Sequence, residues 1–352
     1  MVVLYSTFHK LWDVKKKFDR SEVCKLEWCR GFYRIAGILK GDIVMDRRAF
    51  LTSGLAAGAA ISTGAFAGER AGAEPAESSK KCKFKLKYAP HFGMFRNHAG
   101  DDLIDQLKFM ADEGFRAAFD NRIAGRSKQQ QEAIAKQMER LDMMLGPFVA
   151  CAEFEKKTFV TSSKYVRREL IKQMNNAVEV SKRVNCRWAL VVPGAFDAGL
   201  EWDYQTANVI DNLKYCAEVC EPAGVIMVIE PLNPWRNHPG LFLTKIAQAY
   251  QICRAVGSSS CKIVDDIYHQ QITEGNLIPN IDKAWEQIAA FHLGDTPGRM
   301  EPTTGEINYK NIFKHLYEKG YKDVLCMEHG NSKKGKEGER AVIEAYRLCD
   351  NF

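Results

Sequence analysis

Four side chains of metal-ligand type stand at the ends of four apolar runs in the second half of the chain. They are Glu230 in VIMVIEPLN, Asp266 in KIVDDIYH, His292 in IAAFHLGD and Glu328 in VLCMEHG. Their separations of 36, 26 and 36 residues are each about the length of one strand-plus-helix unit. Carboxylates and an imidazole suit Mg²⁺, Mn²⁺, Co²⁺ or Zn²⁺. The pattern predicts a site for one divalent metal ion that could also move protons.

The elements that must position these residues alternate between apolar, strand-like runs and amphipathic helical stretches, which is typical of a parallel α/β fold. The eight candidate strands are 84–92, 114–120, 144–151, 186–194, 224–232, 261–267, 289–295 and 323–329. In a (β/α)8 TIM barrel, the carboxyl ends of the strands meet at one mouth, where active sites are built. The sequence predicts such a barrel over residues 83–352, with an open doubly wound sheet as the alternative. No GxGxxG motif follows the first strand, so nothing indicates a dinucleotide site.

Each of these residues also has an ordinary interpretation. A single Glu or Asp at a strand end is commonly a helix cap or an ion-pair partner, and a single His in an apolar run is commonly a core residue. The neighbouring residues favour a site. His269 follows Asp266 by three residues, within reach of a substrate oxygen. Arg299, in the Gly/Pro loop after His292, offers a planar donor fork suited to a carboxylate, with a surface loop charge as the alternative.

Five stretches of the body resemble one known family. They are PHFGMF, IEPLNPWRNHPGLFL, DDIYHQQITEGNL, FHLGDTPGRMEPTTGEINY and CMEHG. The chain resembles the hydroxypyruvate isomerase group of the xylose isomerase-like barrel superfamily from about Lys83 to its C-terminus. The resemblance implies a metal-dependent aldose–ketose isomerase. Its substrate would be a small sugar or a hydroxy-keto acid, converted by proton transfer through an enediolate.

The resemblance also implies roles for individual residues. The metal ligands that it implies are Glu230, Asp266, His292 and Glu328. Two of these, Glu230 and Glu328, match the catalytic pair that moves protons on opposite faces of the substrate. The substrate-binding residues that it implies are His269, Arg299, Asn233 and His91.

The chain departs from the group's pattern at His292 and in the second strand. Hydroxypyruvate isomerases commonly carry an amide side chain where His292 stands, whereas related ketose epimerases carry a histidine. The second strand has Phe119 and Asp120 in place of a glutamate and an aromatic residue. A ketose 3-epimerase of the same fold and a non-catalytic sugar-binding barrel therefore stay as alternatives.

The superfamily also includes endonucleases that cut DNA at abasic sites. These enzymes need further histidines on the second and third strands and an Asp-x-His pair after the seventh. Here MEPTTGE follows Arg299, and the early units offer only His91 and His98.

Most of the positive charge of the chain lies near its beginning. Residues 1–67 hold 11 Lys/Arg against 6 Asp/Glu, which leaves residues 68–352 at a net charge of +1. A nearly neutral body lacks the basic surface that nucleic acid requires, so we expect no nucleic-acid partner. A homo-oligomer is one alternative for the assembly state.

The first part of the chain has the character of an export signal. Arg47 and Arg48 precede the uncharged stretch LTSGLAAGAAISTGAFA, which resembles a twin-arginine signal and is short and weakly apolar for a stable membrane span. We predict an upstream extension at residues 1–44, a twin-arginine signal peptide and disordered tether at 45–82, and export to the periplasm. Two of the 11 cysteines precede residue 45, and we expect most of the others to be free, buried thiols.

Overall fold

The computed structural model describes residues 83–352. The predicted extension at 1–44 and the predicted signal and tether at 45–82 lie outside the described residues. No helix within residues 83–352 has both the length and the apolar character needed to cross a bilayer.

A ring of parallel strands forms the centre of the fold. The strands are β1 (Lys87–Pro90), β2 (Ala117–Ala118), β3 (Met144–Leu145), β4 (Phe148–Ala152), β5 (Trp188–Val192), β6 (Ile226–Ile229), β7 (Cys261–Asp266), β8 (Ile288–Leu293) and β9 (Val324–Met327). Seven of them form one sheet in the order β1-β9-β8-β7-β6-β5-β4, and β2 pairs with β3 in a parallel two-stranded sheet.

The two sheets join into a closed barrel. A parallel bridge links His91 to Phe119, and the Phe119 amide donates to the Pro90 carbonyl at 3.1 Å. The third predicted strand is split at Gly146 and Pro147 into β3 and β4, so the nine segments correspond to eight barrel strands. A Cβ atom on Gly146 would lie 2.6 Å from Cys326 Sγ, so only glycine fits where this strand turns past the interior. The predicted TIM barrel is confirmed.

Helices follow the strands and cover the outside of the ring. They are α1 (Arg96–Ala99), α2 (Leu103–Asp112), α3 (Lys128–Arg140), α4 (Lys164–Val184), α5 (Trp202–Cys220), α6 (Ile246–Val256), α7 (Ile267–Thr273), α8 (Leu277–Ala284), α9 (Tyr309–Glu318) and α10 (Gly335–Asp350). Side-chain caps fix several starts: Asp102 accepts from two amides of α2, and Ser127 forms a capping box with Gln130 at α3. Asn185 ends α4 in the left-handed conformation.

Apolar side chains from both sides of the barrel wall form the core. All five residues of β5 are buried, as are all four of β9, because parallel strands are covered on both faces. The eight cysteines of the described residues are free and buried. They are Cys151, Cys186, Cys216, Cys220, Cys253, Cys261, Cys326 and Cys349. This confirms the prediction that these cysteines are small core residues.

Candidate metal and active site

The four predicted ligands meet at the carboxyl ends of four neighbouring strands. Glu230 directly follows β6, Asp266 ends β7, His292 lies in β8 and Glu328 directly follows β9. One ligand atom from each residue lies within 4.8 Å of the ligand atoms of the other three. Their exposed fractions fall to 1% for Asp266 and 0% for His292. Residues separated by almost 100 positions in the chain therefore form one cluster, in which Glu230, Asp266 and His292 are buried and Glu328 is partly exposed.

His292 links the two glutamates of the cluster. Its Nδ1 atom lies 3.0 Å from Glu230 Oε1 and 3.2 Å from Glu328 Oε2. Burial alone would lower the pKa of His292, but the carboxylates of Glu328 and Glu230 outweigh that effect and raise it well above its usual range. In the absence of a metal ion, the imidazole therefore carries a positive charge between two carboxyl groups.

The two glutamates have opposite protonation preferences. Burial raises the pKa of Glu230 to about 7, although His292 opposes this shift. Burial acts in the same direction on Glu328, but the positive charges of His292 and Arg299 outweigh it, so the Glu328 pKa lies well below its usual range. In the metal-free cluster, the two glutamates therefore have pKa values on opposite sides of the usual one.

Arg299 places a second positive group on the cluster. Its Nη2 atom donates to Asp266 Oδ2 at 2.9 Å and to Glu328 Oε2 at 2.7 Å, and its Nε atom donates to the Glu328 carbonyl. The guanidinium also lies 4.9 Å from the centre of the Tyr268 ring. These contacts rule out the alternative of a surface loop charge. Substrate binding by Arg299 stays a prediction.

His269 is held as a neutral hydrogen-bond donor beside the cluster. Asn233 Nδ2 lies 2.6 Å from His269 Nδ1, and the Asn233 Oδ1 atom already accepts from the amides of Arg236 and Asn237. The Asn233 amide orientation is therefore fixed, so Nδ1 accepts and the ring proton lies on Nε2. Burial lowers the pKa of His269 to about 4, which keeps the ring neutral at pH 7. Its Nε2 atom has no hydrogen-bond partner among the described residues and lies 3.5 Å from Asp266 Oδ2, so this donor faces the cluster, and substrate binding by His269 stays a prediction.

Two predicted substrate-binding residues have other contacts in the structure. Asn233 is fully buried, and its side-chain amide is used by its own loop and by His269, so it positions that histidine. His91 bonds to the Phe92 carbonyl and to the His329 carbonyl, and it lines a cavity that adjoins the cluster. Direct substrate contact by either residue stays a prediction.

Sequence reasoning missed Asn121, which follows the second barrel strand. Its Nδ2 atom donates to Glu328 Oε1 at 2.6 Å and so helps to hold that carboxylate in place. Asn121 occupies the same strand-end position that identified the four ligands, so this position was an available signal. The ordinary interpretation of Asp266 also holds, because its Oδ1 atom caps α7 by accepting from the Tyr268 and His269 amides. The same side chain both caps a helix and joins the cluster.

The donor set fits a divalent cation. Three carboxyl groups and one imidazole offer the oxygen and nitrogen atoms that Mg²⁺, Mn²⁺, Co²⁺ and Zn²⁺ accept. The Arg299 guanidinium already bridges two of the carboxylates, which shows that the cluster attracts a positive charge at this position. Glu230, Asp266, His292 and Glu328 would hold the ion.

The cluster opens into a cavity of about 400 Å³. Glu230, Glu328, His269 and Arg299 line its polar side, and apolar residues such as Val149, Leu190 and Leu232 line the remainder. A mostly apolar pocket with a few converging polar groups is the usual form of a small-molecule site. The arrangement can bind a small ligand and exchange protons with it.

Comparison with known proteins places this geometry in a family. Residues 107–351 match the model of the xylose isomerase-like TIM barrel family. The chain belongs to this family. A solved AP endonuclease of family 2 from Brucella melitensis covers 72% of the chain, and the chain covers 96% of that protein, with a TM-score of 0.62 and 22% identity. At that identity the likeness concerns the fold alone.

Two curated relatives are similar in sequence to part of this chain. The hydroxypyruvate isomerase of Escherichia coli is 34% identical over 149 residues, which cover 42% of this chain and 55% of the relative. The 2-oxo-tetronate isomerase of Pectobacterium atrosepticum is 30% identical over 167 residues, covering 47% of this chain and 63% of the relative. The chain thus spans little more than half the length of these relatives.

Proposed function

We propose that the protein is a metal-dependent sugar isomerase that interconverts an aldose and a ketose, or the corresponding forms of a small hydroxy-keto acid. The observation that carries this proposal is geometric: two carboxyl groups, Glu230 and Glu328, lie on either side of His292 Nδ1 and both line the cavity beside the cluster. The names and the 30–34% identities of the two relatives support the same reaction class.

The chain's own residues supply the proton transfers of this reaction. One of the two glutamates takes the proton from the hydroxyl-bearing carbon, while the electrons of the broken C–H bond form the C=C bond of an enediolate. Either glutamate then returns a proton to the former carbonyl carbon, and the hydroxyl hydrogen moves to the former carbonyl oxygen. A divalent ion in the cluster would stabilise the negative charge that develops on the substrate oxygens. His269 Nε2–H can donate to one of these oxygens, because the ring is neutral and Asn233 fixes its orientation.

Replacing one catalytic carboxylate tests the proposal directly. Glu328→Gln removes a proton acceptor while keeping the side-chain shape, and we expect turnover of small ketoses and keto acids to fall by about 10²–10⁴-fold. Glu306→Gln provides a matched control, because Glu306 is exposed in the loop that follows β8. Equal turnover by Glu328→Gln and the unmodified protein would contradict the catalytic assignment. A protein that binds sugars without turning over any of them would support the alternative of a sugar-binding barrel.

Metal removal tests the other half of the proposal. We expect protein treated with a chelator to lose activity and to regain it with Mn²⁺ or Mg²⁺. Activity that does not change with the chelator would contradict the metal assignment.

Product analysis in D₂O distinguishes an isomerase from a 3-epimerase. An isomerase forms the aldose, whereas a 3-epimerase forms a second ketose labelled at carbon 3.

We also propose that residues 45–82 direct the protein through the twin-arginine route to the periplasm. The paired arginines and the uncharged, small-residue stretch that follows them support this location. Changing Arg47 and Arg48 together to lysine should retain the precursor in the cytoplasm. Unchanged export of that variant would refute the proposal.

A further inference from the structure

A second, larger cavity of about 840 Å³ adjoins the cavity of the metal cluster. The two cavities share four lining residues, which are Asn121, Arg122, Arg299 and Glu328. Glu328 is one of the two glutamates proposed to transfer protons, so a ligand in the larger cavity can bring its reacting carbons to Glu328. Cavities of this size hold ligands well beyond three or four carbon atoms.

The larger cavity is lined by the segments that follow β1 and β2. Among its polar residues, Gln106 is already used by backbone groups of Gly93 and Gly100, which fixes the loop after β1. The Asn121 Oδ1 atom is buried and accepts no hydrogen bond within residues 83–352. Asn121 lines both cavities, so it lies where they join.

Arg122 is the cation of this cavity that has no acidic partner among the described residues. Arg96 pairs with Asp101, Arg126 pairs with Asp120, and Arg299 pairs with the cluster carboxylates. The Arg122 backbone amide donates to Asp120 Oδ1 at 3.0 Å, which fixes its position at the start of the 3-10 turn Ile123–Gly125. Its side chain is exposed and lines both cavities.

We propose that the substrate is an acidic sugar of five or more carbons whose anionic group, a carboxylate or a phosphate, is bound by Arg122 in the larger cavity. The proposal rests on the proposed isomerase function and adds the substrate class to it. A planar guanidinium donates two parallel hydrogen bonds to either kind of anion. Arg122 holds the anion where the two cavities join, and the rest of the sugar extends toward Glu230 and Glu328. The volume of the larger cavity favours a sugar longer than a three- or four-carbon acid.

Binding of unreactive analogues tests the site without depending on turnover. Calorimetry would use D-gluconate for the carboxylate, D-sorbitol 6-phosphate for the phosphate and neutral D-sorbitol as the uncharged control. We expect at least one acid to bind more tightly than sorbitol. Arg122→Gln should weaken the binding of that acid by about tenfold or more, which is the loss expected for a charge-assisted hydrogen bond. The affinity for sorbitol should be unchanged. Arg140→Gln is the matched control, because Arg140 is exposed at the end of α3 outside both cavities.

Three outcomes would overturn the proposal: neither acid binds, sorbitol binds as tightly as both acids, or Arg122→Gln binds the acids like the unmodified protein. Arg122-dependent binding of an acid supports the proposed site even in a protein that shows no turnover. That combination would place the failure in the proposed reaction, so the two hypotheses are tested separately.

Discussion

Arg299 holds the cluster together electrostatically, and replacing it with methionine should expose this role. Methionine keeps most of the apolar stem but leaves Asp266 and Glu328 without their shared donor. Breaking a buried ion pair costs about 3–5 kcal/mol. The Arg299 and Glu328 side chains are 26% and 24% exposed, whereas Asp266 is 1% exposed, so we expect a smaller cost of about 2–3 kcal/mol.

The cost should depend on metal. With a divalent ion in the cluster, the carboxylates have another positive partner, and the loss is limited to the contacts of Arg299 with the Glu328 carbonyl and the Tyr268 ring, about 1 kcal/mol. By linkage, Arg299→Met should bind Mn²⁺ about tenfold more tightly than the unmodified protein.

Urea unfolding with a chelator and with saturating Mn²⁺ measures both effects without any activity assay. The difference in the urea concentration at the unfolding midpoint between Arg299→Met and the unmodified protein should be large in chelator and smaller with Mn²⁺. Arg140→Met, at an exposed position outside the cluster, should leave both midpoints unchanged. A gap of the same size in both conditions would refute the reasoning that Arg299 and a metal ion serve the same carboxylates.

Three further changes test the local physics of the fold. Gly305→Ala would place a Cβ atom 2.0 Å from the Thr296 carbonyl oxygen and should cost about 1–3 kcal/mol in urea unfolding, whereas Gly125→Ala, with no atom within 4 Å, should cost little. Burial raises the pKa of Asp265 well above its usual value, so the folded state retains a proton that the unfolded state releases above about pH 4. This group should therefore lower the free energy of unfolding by up to about 1.4 kcal/mol for each unit of rising pH, and Asp265→Asn should remove that slope. If the free energy of unfolding of the variant and of the unmodified protein depended on pH in the same way, the burial argument would be contradicted. Asn185→Gly should be nearly neutral in thermal unfolding and Asn185→Val destabilising, because this helix end is left-handed.

The repeating strand-plus-helix pattern allowed the barrel to be predicted, but the observed strands are shorter than the predicted ones, and the second and third differ most. The second strand has only Ala117 and Ala118 in regular pairing, and the third is split at Gly146 and Pro147. Pro147 has no amide hydrogen to donate to a ladder, which the sequence shows. The contact that makes glycine necessary at position 146 comes from Cys326, 180 residues away, and no local pattern reveals it.

The candidate site divides in the same way between local and distant information. The convergence of the four candidate ligands was predictable, because each stands at the carboxyl end of a strand and the barrel brings those ends together. The contact from Asn121 to Glu328 spans 207 residues, and the contact from Arg299 to Asp266 spans 33. These contacts depend on how the loops fold over the mouth, and residue spacing does not encode that geometry.

Burial makes several cysteine thiols of the folded protein chemically unreactive. Burial raises the pKa of the Cys151, Cys186 and Cys220 thiols to about 12. At pH 7 such a thiol is ionised in roughly one molecule in 10⁵, and the thiolate is the form that attacks disulfides or reacts with oxidants. These three thiols therefore react slowly in the folded barrel, and alkylating reagents should label them only after the barrel unfolds.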